Sequence, residues 1–160
     1  MSTNLHRLIE NFTYWTQALA PTNTTVRNRF EVIDPFQYPE PPTDSAGLRK
    51  FYIEYMGSAE DLAATDLDNR EAWHSVRQHV WYPTCLPFNT LQMMVIQDRH
   101  DLVKRGRDST YQKGYDSSHT ATDFGLMRRL RKADTINRQT GAALWILSIE
   151  WLCFSRESEQ

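Results

Sequence analysis

The residues best suited to chemistry in this chain are cations. Lys104, Arg105 and Arg107 precede Tyr111, Lys113 and Tyr115, and Arg128, Arg129, Arg131 and Lys132 follow. Arginine and lysine interleaved with tyrosine suit a nucleic-acid surface, because fixed positive charge neutralises phosphates while the rings stack on bases. Asp98, Asp101, Asp108, Asp116, Asp123 and Asp134 intersperse the same stretch, so a solvated, ion-paired face is the plainer reading of the same residues.

Histidine offers a second chemistry. Glu71-Ala72-Trp73-His74 has the Glu-x-x-His spacing that puts two metal ligands on one helical face, and His79 and His100 could supply further ligands. A di-metal bundle wants a second copy of the motif and two more glutamates, and neither is evident. Ordinary exposed helix faces therefore account for a four-residue match. No serine has a nucleophile-elbow context, and the six glycines form no phosphate-cradling loop. Cys85 and Cys153 match no ligand spacing and read as free, packed thiols in a reducing compartment. The residues thus imply neither a cofactor nor an enzyme.

Charge is unevenly spread along the chain. Residues 1–97 hold seven Lys/Arg against eleven Asp/Glu, residues 98–138 ten against six, and residues 139–160 one against three. An acidic front and a basic segment suit phosphate binding, and they equally suit head-to-tail contact between copies.

The elements that must position these residues read as helices. Leu5, Leu8, Ile9, Phe12, Trp15 and Leu19 recur at three- and four-residue spacing, the mark of an amphipathic helix. Thr3 or Asn4 can cap it, and Pro21 lies beyond its end. Val26, Phe30 and Ile33 suggest a short second helix over 24–33. Four prolines within 34–44 then impose an extended connector, which Phe36 and Tyr38 should pack down. Leu48, Phe51, Tyr52 and Tyr55 have helical spacing, although Phe51-Tyr52-Ile53 also favours a strand. Ala72, Trp73, Val76, Val80 and Trp81 form an apolar stripe from a helix start near Asp66 or Asp68. Asn89 can cap a helix whose face is Leu91, Met94, Val95 and Leu102, and Thr120 or Thr122 a shorter one carrying Phe124, Leu126 and Leu130. A last helix over about 139–154 is apolar nearly all round, as an element buried on several sides must be.

At 160 residues, 40% hydrophobic and 24% charged, the chain has the composition of one globular domain. No apolar run approaches the ~18–20 residues that span a bilayer, and no signal-peptide pattern opens the chain. The expected location is cytoplasmic, and the sequons at Asn11 and Asn23 read as chance matches.

The order of several motifs resembles the coat proteins of rod-shaped plant RNA viruses of the tobamovirus type. The helical opening, Val26-Arg27-Asn28-Arg29-Phe30, the Pro-rich connector and Phe51-Tyr52-Ile53-Glu54-Tyr55 run in matching order, then Asp66-Leu67-Asp68-Asn69-Arg70. Asn137-Arg138 and Ile149-Glu150-Trp151 resemble that family's closing signature, with Gly141-Ala142 where the family has Phe-Glu. The resemblance covers about residues 24–70 and 137–151. It implies a helical-bundle subunit that stacks around single-stranded RNA, with Arg70 at the RNA, inside a virion.

These readings combine into one expectation: an all-α domain over residues 1–160, a bundle of about five to seven helices. It is non-enzymatic, associates with itself, and binds single-stranded RNA phosphates through Arg70, Lys104, Arg105, Arg107, Lys113, Arg128, Arg129, Arg131 and Lys132. The alternatives are an adaptor docking a protein through its Trp145–Trp151 helix, and a small metalloenzyme built on Glu71, His74, His79 and His100.

Overall fold

Leu8, Phe12, Trp15 and Leu19 are all buried, so the predicted opening helix is found as α1 (His6–Ala18). The helix expected from Asn89 onward is found as α2 (Phe88–Gly106), with Leu91, Met94, Val95 and Leu102 on its buried side. Pro87, not Asn89, precedes its first turn, without a side-chain capping bond. The computed structural model describes residues 6–26, 28–37, 44–60, 69–108, 114–115, 121–122, 127–130, 135–137 and 143–158.

The all-α bundle is overturned. Among the described residues α1 and α2 are the two α-helices, and the rest of the regular structure is mostly extended. The strands are β1 (Glu31–Val32), β2 (Lys50–Glu60), β3 (Asn69–Pro83), β4 (Gly114–Tyr115), β5 (Ala121–Thr122), β6 (Met127–Leu130), β7 (Thr135–Asn137) and β8 (Leu144–Ser158). They build a six-stranded sheet in the order β1-β2-β3-β8-β6, with β7 also on β8, while β4 and β5 pair separately. Among the described residues only β1 runs parallel to its neighbour; the other pairs are antiparallel.

The misreading has a physical cause. Val76 and Val80 are four residues apart, so they would share one helical face; four is also an even number, so they share one strand face. Burial follows the strand period, with Val76, Gln78, Val80 and Tyr82 all buried. The stretch expected as a last helix is instead β8, held between β3 and the β6/β7 edge. β8 carries Ile146 and Leu152 on its half-buried face as well as apolar residues on its buried one, so it reads as a continuous apolar run, as a buried helix does.

Cross-strand rows show how the core is built. Phe51, Val80 and Leu147 are opposite one another on β2, β3 and β8, as are Ile53, Gln78 and Ile149. Apart from the polar Gln78, both rows belong to or pack against one apolar cluster with Phe12 and Trp15 of α1 and Leu91 and Met94 of α2, so both helices cover the same sheet face. Trp151 meets Trp15 edge-on at 6.3 Å between centroids. One polar thread crosses this core and is satisfied throughout: the Gln78 amide donates to Thr16 Oγ1 (2.7 Å) and accepts from Trp151 Nε1 (3.3 Å).

Three smaller expectations also fail. Phe36 does not pack down but stands 94% exposed, and Tyr38 is outside the described residues. Residues 24–33 hold β1 rather than a second helix. Cys85 is an exposed free thiol, whereas Cys153 is free and buried. No helix among the described residues is long and apolar enough to cross a membrane.

Candidate functional site

The site with the most chemistry is the exposed side of α2, and a buried ion cluster on its other side fixes how that face is presented. Asp98 points inward from the middle of α2, with both oxygens engaged by Arg49: Nε to Oδ2 at 2.8 Å and a terminal nitrogen to Oδ1 at 2.8 Å. The Tyr82 hydroxyl donates to Oδ2 at 2.7 Å. The remaining guanidinium protons reach the main chain, at Val26 O (3.2 Å) and Asn23 O (2.5 Å), and the Phe30 ring lies 5.8 Å below the guanidinium carbon. Arg49 has φ of 60°, the left-handed region that non-glycine residues rarely occupy, and this backbone turns its side chain beneath α2. Burial pushes the Asp98 carboxyl above its ordinary range, and the Arg49 and Tyr82 hydrogen bonds pull against that rise. Tyr82 is driven well above the ordinary phenol value by burial first and by Asp98 second. Near the C-terminal end of α2, Asp101 accepts from the Thr22 N–H (2.8 Å) and hydroxyl (3.0 Å), tying the segment after α1 to the same helix.

Held this way, α2 presents two kinds of surface outward. Its first half exposes Phe88, Met93 and Ile96. Its second half carries exposed His100 and Lys104 and partly exposed Arg99 and Arg105, with exposed Arg107 just past its end. An open groove of about 490 Å³ is lined by Arg99, His100, Val103, Lys104, Arg107 and Asp108. A second, of about 410 Å³, lies against the segment after α1 and is lined by Leu19, Thr22, Asp101, Lys104 and Arg105 among others. Lys104 and Asp108 border both grooves. Cations at a helix C-terminus offset the negative end of its dipole, so this clustering needs no ligand to be stable. It nonetheless leaves a concave cationic surface able to receive phosphate oxygens.

The structure therefore brings together Lys104, Arg105 and Arg107 and adds Arg99 and His100, which the sequence pattern does not group with them. The available signal was helical: Arg99 and Val103, like His100 and Lys104, are four residues apart. Arg70 lies near the start of β3, opposite Glu157 of β8. Arg128 and Arg129 occupy β6, opposite Cys153 and Leu152 of β8, on a strand rather than on the expected helix. Lys113, Arg131 and Lys132 are outside the described residues.

The histidines are separated. Glu71 and His74 belong to a strand, not a helix, so three-residue spacing does not set them on one helical face. His74 is buried on the helix-covered face, with Nδ1 3.0 Å from the Tyr55 hydroxyl. His79 lies on the other face, stacked on Tyr52 at 4.7 Å between centroids, and His100 is exposed on α2. Among the described residues no group of three or more His, Cys, Asp or Glu side chains is placed to hold a metal ion. Burial lowers the imidazole pKa of both His74 and His79; at His79 the Glu54 hydrogen bond works against it.

One arrangement was not legible at all in the sequence. His79 Nδ1 is 2.7 Å from Ser148 Oγ, and its Nε2 is 3.1 Å from Glu54 Oε1, so hydroxyl, imidazole and carboxylate stand in line across β8, β3 and β2. The order is that of a nucleophile, a base and an orienting acid. Ser148 sits mid-strand, however, where neighbouring main-chain N–H groups are spent on the sheet ladder rather than aimed at an oxyanion. Cross-strand polar packing accounts for the row. The adaptor reading loses its docking helix, because Trp145 to Trp151 lie in β8 at the centre of the sheet.

No family model and no curated protein matches the chain.

Proposed function

We propose that the protein is a non-enzymatic structural subunit that assembles with itself and binds single-stranded RNA through phosphate contacts. The observation carrying this reading is the groove at the C-terminal half of α2, where Arg99, Lys104 and Arg107 line an open concavity with Asp108 as the one acid among its described lining residues. A guanidinium fork matches phosphate geometry. The reading rests on this surface and not on the coat-protein resemblance, whose implied helical bundle is not the fold of the described residues. Self-assembly draws support from the uneven charge along the chain and from the apolar half of the same helix face. A single weak groove becomes effective when copies repeat along one strand.

Ionic strength supplies the test. Retention of a labelled RNA oligomer should weaken linearly in log affinity against log salt. Charge reversal at Lys104 and Arg107 should flatten that slope by about 1.4, at ~0.7 per phosphate contact on a single strand. No retention at low salt, or a slope that the double reversal leaves unchanged, refutes the reading.

A further inference from the structure

We infer that the Asp34–Gln37 turn of one copy docks, head to tail, onto the apolar half of α2 in a second copy. The inference rests on the proposed self-assembly and assigns its contact surfaces. Phe36 is 94% exposed, more than any other large hydrophobic side chain among the described residues. It is held out by an ordered turn, in which the Phe36 N–H donates to Asp34 Oδ1 (2.9 Å) and the Gln37 N–H to Asp34 O (3.1 Å). A ring so exposed is not seated among the described residues of its own chain, and the described residues offer it a seat on a second copy. Phenylalanine fixed on a rigid turn fits the anchor role that a few aromatic residues play at interfaces.

The matching seat is on α2. Met93 is 53% and Ile96 49% exposed, and three-residue spacing sets them side by side on the helix. Phe88, 59% exposed and edge-on to Trp145 at 5.5 Å, lies at the N-terminal end of this strip. Arg99 and His100 follow within the next turn. The knob is thus an aromatic ring two residues from an exposed carboxylate, and the seat is an apolar strip leading to the Arg99 guanidinium. Both the apolar and the charged parts are complementary, and this selects a second copy as occupant. Knob and seat are different patches; engaged in one direction per contact they make a heterologous interface, whose successive copies close into a ring or extend as a filament. Lys104 and Arg107 lie a further turn along, outside this strip.

Sedimentation velocity of the full chain over a range of concentrations tests the contact. Wild type should form species larger than a dimer. Phe36→Ala and Ile96→Glu, both at exposed positions that leave the circular dichroism unchanged, should each weaken self-association by about thirtyfold or more. An equimolar mixture of the two variants keeps one intact knob and one intact seat, and should give dimers that grow no further. Short-oligomer RNA retention by Phe36→Ala should match wild type, which separates docking from phosphate binding. If wild type assembles and either variant assembles equally well, the docking fails while the proposed function stands. If the variants' mixture stays monomeric, or wild type stops at a dimer, the head-to-tail geometry fails. If wild type is monomeric throughout, self-assembly and docking fall together and the patch belongs to some other partner.

Discussion

Replacing Asp98 by Asn should cost more stability than any other isosteric change in this chain. The Asp98 carboxylate accepts three hydrogen bonds, two from Arg49 at 2.8 Å and one from Tyr82 at 2.7 Å. Both ion-pair side chains have zero exposure, so no water can replace a lost partner. Asparagine keeps one acceptor oxygen, but its amide protons then confront a guanidinium or a hydroxyl proton, and the Arg49 charge is left without its counter-ion. Breaking a buried pair from one side typically costs about 3–5 kcal/mol, against a total stability of about 5–15 kcal/mol. Tyr82→Phe removes a single hydrogen bond to a charged group and should cost less, about 1.5–3 kcal/mol. Arg49→Lys retains charge but loses the planar fork, and should fall between the two. Urea unfolding followed by tryptophan fluorescence measures all three, since Trp15 and Trp151 are wholly buried. A shifted midpoint with an unchanged slope attributes the loss to the folded state. If Asp98→Asn unfolds within about 1 kcal/mol of wild type, or Tyr82→Phe costs as much, the buried pair is not the anchor of α2.

Two further outcomes follow from the core and from the histidines. A methyl group at Gly106 would overlap the Trp151 indole at Cη2 and Cζ2, and that ring is fully buried, so Gly106→Ala should cost about 1–3 kcal/mol; a thermal midpoint equal to wild type would contradict the packing. Burial holds the His74 and His79 imidazoles below their ordinary value of 6.5, so the unfolded chain takes up protons first as pH falls. Their contribution is present above pH 6.5 and lost as pH drops toward the folded values; the urea midpoint should therefore be lower at pH 5.5 than at 7.5, and less so in His74→Asn. An equal or higher midpoint at the lower pH would mean that burial does not disfavour the charged imidazoles.

Both helices were legible in the residue pattern. In α1 (Leu8, Phe12, Trp15) and α2 (Leu91, Met94, Val95, Leu102) an apolar set recurs at helical spacing, a pattern no strand produces over that length. The cationic residues Lys104, Arg105 and Arg107 were also legible, because charge is a property of residue type. β3 and β8 were not. Spacings of four satisfy helix and strand alike, and an all-round apolar run reports burial without reporting the element that is buried. Pairing settles the matter: β3 runs beside β8 from Asn69 opposite Ser158 to Pro83 opposite Leu144, and partners so far apart in the chain leave no local trace.

The charge surface divides in the same way. That this chain carries a basic segment behind an acidic front followed from the order of its residues alone, since charges add without reference to shape. Which cations act together was decided only in three dimensions. Arg49 and Asp98 are 49 residues apart, yet their contact beneath α2 orients the helix so that Arg99, His100, Lys104 and Arg107 line one groove. The same packing leaves Phe36 standing in solvent, where its sequence setting had promised burial. Local spacing determines which side chains share a face; only the long-range contacts determine what that face meets.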